Sequence, residues 1–431
     1  MKVGVYGLWH LGCVTAACLA ACGHDVIGID PDPGVVRDLE AGRPPLDEPG
    51  LPELIAAGRA RGTLGWTTDA RTALADVDVL WITLDTPVNE HDQADPAVVR
   101  RAIDATAGML ARGTLVVVSS QVPVGFTRGA TLGAAAVGLH FGCIPENLRL
   151  GRAIESFLHP ERLVAATVDE EARPMAHRLL EPLQARIEWM SVESAEMTKH
   201  ALNAFLATSV AFANEVARVC ERVGADAREV ERGLRSDPRV GPKAYVSPGA
   251  AFAGGTLARD VRYLIASGDA SEVATPLMRG VLDSNDAHRH AHFDRIRALL
   301  VGRSQPAAAV LGLTYKPGTS TLRRSASIEL CRALAEDGIT IRAYDPAIAE
   351  LPGDLTGTLT LRTSAADALA GADVAVIATA WPQFRDLAAD TVVSTMRQAV
   401  IVDAGAFLEG SLGHDPRIRY ITSSRPEVAR G

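Results

Sequence analysis

The chain has 431 residues, 47% hydrophobic, 22% charged and only 5% aromatic; this excludes a disordered or fibrous protein and leaves room for two to four domains at roughly 100–200 residues each. Lys plus Arg total 43 against 52 for Asp plus Glu, a net charge of −9 with no long basic run, which argues against a general nucleic-acid surface. Apolar stretches such as 115–118 and 374–378 fall far short of the roughly 20 residues that span a bilayer. A soluble protein is expected, and the start, which enters a strand and glycine turn with no apolar leader, points to the cytoplasm.

Apolar Val3–Tyr6, the turn Gly7-Leu8-Trp9-His10-Leu11-Gly12, small residues over 14–22 and a strand-like run over 25–29 ending at Asp30 read as strand, turn, helix, strand. Further strand-like runs at 79–83, 115–119 and 163–166, with helical stretches between them, predict a doubly wound parallel sheet. From Ser194 to Val223 apolar residues recur at helical spacing with no Gly or Pro, which predicts one long helix. After a Gly- and Pro-rich stretch over 236–255, alternation resumes with strands over 308–313, 339–344, 374–378 and 399–403 and a helix over 328–336. The predicted fold class is α/β: two Rossmann-like doubly wound domains joined by a long central helix and a helical domain, divided as 1–193, 194–295 and 296–431.

A dinucleotide turn uses one glycine for the tight bend, a second for backbone approach to the pyrophosphate and a third for helix-on-strand packing. Gly7 and Gly12 stand here, but Trp9 holds the middle place. Asp30 lies where a strand-end carboxylate accepts from the adenosine ribose hydroxyls and repels a 2′-phosphate, which favours NAD over NADP. Its ordinary alternative is a solvated strand-end acid. The six cysteines, Cys13, Cys18, Cys22, Cys143, Cys220 and Cys331, form neither Cys-x-x-Cys pairs nor a disulfide framework. Buried thiols are expected, and no metal site.

Four segments, Pro145-Glu146-Asn147-Leu148-Arg149-Leu150-Gly151, the run from Glu196 to Asn203, the run from Phe252 to Asp260 and the run from Gly312 to Thr319, resemble the UDP-glucose/GDP-mannose dehydrogenase family. Glu48-Pro49-Gly50-Leu51, Val122-Pro123-Val124-Gly125, Phe157-Leu158-His159-Pro160 and Asp237-Pro238-Arg239-Val240-Gly241 extend that resemblance from Met1 to about Asp403. It implies an N-terminal NAD-binding domain, a central helical dimerisation domain and a C-terminal domain for the nucleotide of a sugar nucleotide, most simply UDP. The family oxidises a C6 alcohol twice with two NAD, through a cysteine thiohemiacetal and thioester. On matching positions, Lys199, Asn203 and Asp260 would surround the reacting oxygen and Glu146 would activate water or guide protons. Gly7, Leu11, Gly12, Asp30, Thr86, Gln121, Arg259 and Arg323 would contact NAD. Asn147, Leu148, Arg149, Tyr245, Gly249 and Lys316 would contact the nucleotide sugar, and Arg239 would reach a neighbouring subunit's site in a homodimer. Taken singly, Lys199 is equally a solvated helix lysine and Glu146 a helix-start carboxylate.

The departure from the family is at its nucleophile. Where the family has G-F-G-G-x-C-x-x-K-D, this chain reads Ala251-Phe252-Ala253-Gly254-Gly255-Thr256-Leu257-Ala258-Arg259-Asp260, with Thr256 in the cysteine's place. Gln121 replaces an active-site threonine and Thr321 an acid. A threonine hydroxyl needs a dedicated strong base to attack a carbonyl, so thioester chemistry is not expected. Three outcomes fit hydride transfer without it: a product that stays an aldehyde or ketone, an acid reached through a free aldehyde hydrate, or epimerisation in which the hydride returns. A non-catalytic nucleotide-sugar-binding relative is the contrasting reading, against which Lys199, Glu146 and Asp260 speak.

Overall fold

Two series of short apolar strands build two separate sheets, in a computed structural model that describes residues 1–87, 94–133, 138–253, 256–323 and 325–423. Gly254 and Gly255 of the Phe252–Asp260 segment lie outside the described residues. The chain divides into compact units Met1–Leu202 and Asn203–Gly431.

In the first unit, strands β1 (Lys2–Tyr6), β2 (Asp25–Ile29), β3 (Leu64–Thr67), β4 (Val79–Ile82), β5 (Leu115–Val118), β6 (His140–Cys143), β7 (Arg162–Thr167) and β8 (Arg186–Trp189) form one sheet. Its order is β3-β2-β1-β4-β5-β6-β7-β8. β4 and β5 read as continuous apolar runs because both faces of the sheet are covered, and every residue in them is buried. The helix His10–Ala21 covers one face with an unbroken buried run from Gly12 to Ala20, while Ile103, Val99 and Phe141 pack on the other. The predicted parallel sheet is parallel except at one seam, where β7 runs antiparallel to β6.

The second unit carries β9 (Ala307–Leu311), β10 (Thr340–Tyr344), β11 (Thr360–Leu361), β12 (Val374–Ile377), β13 (Val400–Val402) and β14 (Arg419–Ile421). All its pairings are parallel, in the order β11-β10-β9-β12-β13-β14. That order repeats the first six strands of the other unit. Helices Leu257–Ala270 and Pro276–Leu300 also lie in the second unit, where Ala207, Ala211, Phe252, Val261 and Val281 share a core. A 32-residue helix, Val192–Val223, carries residues of both units; it starts two residues before the predicted Ser194, where Ser191 Oγ accepts from the Ser194 N–H at 3.2 Å. The fold class expected from the sequence is the one observed. No helix among the described residues is long and apolar enough to cross a membrane.

Each sheet opens with the same joint. Gly7 N–H donates to the Ile29 carbonyl at 2.9 Å and Leu8 N–H to Asp30 Oδ2 at 2.8 Å. In the second unit Gly312 N–H donates to the Tyr344 carbonyl at 2.8 Å and Leu313 N–H to Asp345 Oδ2 at 2.6 Å.

Candidate active site

Gly7 has φ +97°, and a Cβ there would stand 2.6 Å from the Leu84 side chain, so only glycine makes this bend. A Cβ on Gly12 would collide with the Gly7 carbonyl oxygen, which is how closely helix His10–Ala21 packs on the turn. Trp9, at φ −82° and ψ −164°, caps that helix in an extended conformation open to any residue, without a side-chain cap bond. Trp9 is 44% exposed. Leu11 is half-buried in the first helical turn. Asp30 is half-buried; besides Leu8, its carboxylate accepts only from the Asp32 N–H, at 3.0 Å, among the described residues. A carboxylate has about four acceptor positions, so Asp30 retains capacity for ribose hydroxyls. The tight turn, the packed third glycine, the helix N-terminus and the strand-end acid together fit a dinucleotide.

The Glu48-Pro49-Gly50-Leu51 segment locks this turn from outside. Glu48 is 3% exposed, yet its Oε2 pairs with His10 Nε2 at 2.8 Å and accepts from the Gly151 N–H at 2.8 Å. Its Oε1 accepts from the Ala153 N–H at 2.8 Å. Replacing Glu48 with alanine leaves His10, Gly151 and the buried Ala153 without their carboxylate, and we expect a loss of about 3 kcal/mol, read as a fall in urea midpoint at unchanged slope. A midpoint within error of wild type would show that water replaces the carboxylate.

A cleft in the same unit is lined by Ser119, Gln121, Cys143, Glu146, Glu196, Lys199 and His200, among others. Lys199 Nζ lies 3.2 Å from Glu146 Oε1, with side-chain exposures of 10% and 22%. Glu146 Oε2 accepts from the Leu148 N–H at 3.0 Å, so the carboxylate is fixed on both oxygens. Asn147 and Arg149 are exposed on either side of Leu148. Thr86 Oγ1 donates to the Gln121 carbonyl at 2.7 Å, which ties two of the expected cofactor residues together. Glu196 was not singled out from sequence. It is buried and accepts from Gly125 N–H at 2.5 Å and Thr127 N–H at 2.9 Å, and burial raises its pKa above the usual carboxylate value. The signal for it lay in two quoted motifs, Val122–Gly125 and Glu196–Asn203, whose loop and helix it joins. Cys143 lines the cleft, but burial pushes its thiol far up, away from the thiolate form a nucleophile needs.

In the second unit, Asn203 Nδ2 donates to Asp260 Oδ2, with both side chains buried. Lys199 and Asn203 stand four residues apart in the long helix. Thr256 is exposed at the cap of helix Leu257–Ala270 with no side-chain cap bond, and its carbonyl accepts from the Asp260 N–H at 3.3 Å. Arg259 is buried beside Asp260 in sequence, Lys316 is half-buried, and Arg323 is exposed. Tyr245 is exposed. Gly249 is held by its neighbours: its N–H donates to Asn214 Oδ1 at 2.8 Å, and its carbonyl faces His288 Nε2 at 2.9 Å. Asn285 grips both backbone groups of Phe252 at 2.9 Å. These three clamps, Asn214, Asn285 and His288, carried no sequence signal beyond sitting in helices. The Arg239 guanidinium lies back on its own Asp237, at 2.7 Å and 3.0 Å, and holds that carboxyl below its usual range.

The chain matches the UDP-glucose/GDP-mannose dehydrogenase family in all three of its parts: the NAD binding domain over residues 1–184, the central domain over 193–287 and the UDP binding domain over 309–410. It is 34% identical over 438 residues to a UDP-glucose 6-dehydrogenase of Rhizobium meliloti, covering 99% of this chain and 100% of that protein. A UDP-glucose 6-dehydrogenase of Pseudomonas aeruginosa is 32% identical, covering 94% of this chain and 93% of that protein. Among solved structures, a UDP-glucose dehydrogenase from Pyrobaculum islandicum superposes with a TM-score of 0.88 at 30% identity, covering 98% of each chain. The chain therefore belongs to the UDP-glucose/GDP-mannose dehydrogenase family, NAD-dependent oxidoreductases that act on a CH–OH group of a nucleotide sugar.

Proposed function

We propose that the protein oxidises one hydroxyl of a UDP-linked sugar in a single hydride step, without a covalent cysteine intermediate, as a cytoplasmic homodimer. The observation that carries this reading is the exposed Thr256 at the head of its helix, at the position to which the resemblance assigns the nucleophile, in a chain that keeps the Glu146–Lys199 and Asn203–Asp260 pairs. The UDP binding domain match and the relatives' names support UDP as the nucleotide. NAD, held by Gly7, Leu11, Gly12 and Asp30, supplies hydride acceptance when bound.

The rest is the work of this chain's side chains. Lys199, steadied by Glu146, stabilises the alkoxide that develops as the hydroxyl loses its proton. Asn203 donates to that oxygen. Asp260 orients the water or amine that takes the proton, and Glu146 guides it outward. Asn147, Leu148, Arg149, Tyr245, Gly249 and Lys316 are assigned to the nucleotide sugar, and Thr86, Gln121, Arg259 and Arg323 to the cofactor. These groups serve alcohol oxidation. Advance to a thioester requires a thiolate, and Cys143, the cysteine that lines the cleft among the described residues, is held as a buried thiol.

NADH counted per product over a panel of UDP-sugars tests the reading. One NADH and a two-hydrogen mass loss are expected; two NADH with a carboxylate product would overturn it, and UDP-sugar binding without NADH would favour the non-catalytic relative. Thr256→Cys is expected to shift part of the product to the acid, moving the ratio toward two. A ratio fixed at one in that variant would show that position 256 is not where acyl chemistry is decided.

The homodimer rests on the long helix. Phe205, Phe212 and Val219 recur at heptad spacing and are 67%, 49% and 55% exposed, with Val223 at 71%. So much apolar area on one stripe is costly in water and suits a second copy. Phe212→Asp is expected to convert a dimer to a monomer by light scattering; a monomeric wild type would end this part of the proposal.

A further inference from the structure

We infer that Trp9 sets how loosely the dinucleotide is held: its Cβ and indole stand where a glycine lets the pyrophosphate meet the backbone, so NAD and NADH bind more weakly and exchange faster than they would with glycine there. The inference rests on the N-terminal unit's being the NAD-binding one. Gly7 and Gly12 are demanded by the chain itself, the first by φ +97° and the second by contact with the Gly7 carbonyl. Position 9 makes no such demand, because φ −82° and ψ −164° suit any residue. A glycine there serves only the ligand.

Nor does the fold account for a tryptophan at this point. Trp9 is 44% exposed and belongs to none of the hydrophobic clusters, and among the described residues its indole N–H has no hydrogen-bond partner. Relief by movement of the turn is blocked on both sides. Leu8 N–H is held by Asp30 at 2.8 Å, His10 by Glu48 at 2.8 Å, and the Trp9 carbonyl already accepts from the Cys13 N–H at 2.9 Å. The Cβ of residue 9 is therefore held in place, and the space it takes comes from the ligand. An anion kept back from the first helical turn gives up direct bonds to its N–H groups and part of the dipole's attraction.

Weak retention also bears on the choice between reactions. An epimerase that returns the hydride keeps its cofactor through every cycle, whereas a dehydrogenase must release NADH at each turnover. A turn built to hold NAD loosely suits the second.

The test is calorimetric titration of the full chain with NAD, ADP-ribose and adenosine, for wild type, Trp9→Gly and Trp9→Ala. The alanine variant keeps a Cβ at the helix cap and so guards against glycine's merely loosening the helix start. We expect NAD and ADP-ribose to bind about tenfold tighter in Trp9→Gly, about 1.4 kcal/mol, with adenosine unchanged. A gain in either variant confined to the pyrophosphate-bearing ligands supports the inference. No gain in both, or weaker binding because the indole had been stacking on the cofactor, overturns it. Since no sugar nucleotide is present, a failed gain leaves the single-oxidation reading to its own stoichiometry.

Discussion

Lys199→Ala is expected to slow NADH formation by about 10²–10³-fold, the range for removing one preorganised donor to a developing oxyanion. The fall should appear in kcat, with NAD affinity unchanged, because Lys199 touches Glu146 and lines the cleft and makes no bond to the glycine turn. Stability should move little. Glu146 keeps the Leu148 N–H, and its 22% side-chain exposure lets water replace the lost ammonium. Steady-state kinetics beside a thermal melt separate the two effects, and unchanged turnover would remove Lys199 from the mechanism.

Asp260→Asn should cost about 10²-fold or more in kcat at nearly unchanged volume, the scale of a lost proton-transfer partner. Asp260 is fully buried and takes a hydrogen bond from Asn203. The amide can still offer Asn203 an oxygen, so the fold survives while the charge is lost. Asn203→Ala alone leaves a buried carboxylate short of a donor and should also lower the melting temperature. If the two act as one unit, the double variant falls well short of the product of the separate losses. Full multiplicativity would separate Asn203 from Asp260.

How much of this was legible in the sequence depends on what was buried. β4, β5 and β12 are enclosed on both faces, and their unbroken apolar runs announce them. β3, β6 and β8 each carry polar or glycine residues among four, and their short alternation has no distinctive period. The reversed direction of β7 lies in backbone pairing, on which composition is silent. Gly7, Gly12 and Asp30 were legible because each is the residue type its backbone or ligand requires. Glu48 was legible only as part of a quoted motif, since its partners Gly151 and Ala153 are more than a hundred residues away. Trp9 was visible as a departure, but its tolerance depends on two torsion angles.

The paired joints at the heads of the two sheets have a consequence for how a duplicated architecture divides its labour. Asp345 is 1% exposed, and its Oδ2 faces Leu313 N–H, Thr314 N–H, Thr314 Oγ1 and the Trp381 indole N–H between 2.6 and 3.0 Å. Ala347 N–H donates to its Oδ1 at 2.9 Å. The same acid at the same place is thus a rivet in one half of the chain and an open hand in the other. Whatever the second sheet grasps, it cannot grasp a ribose with that carboxylate. The two halves can therefore share a scaffold without competing for one cofactor.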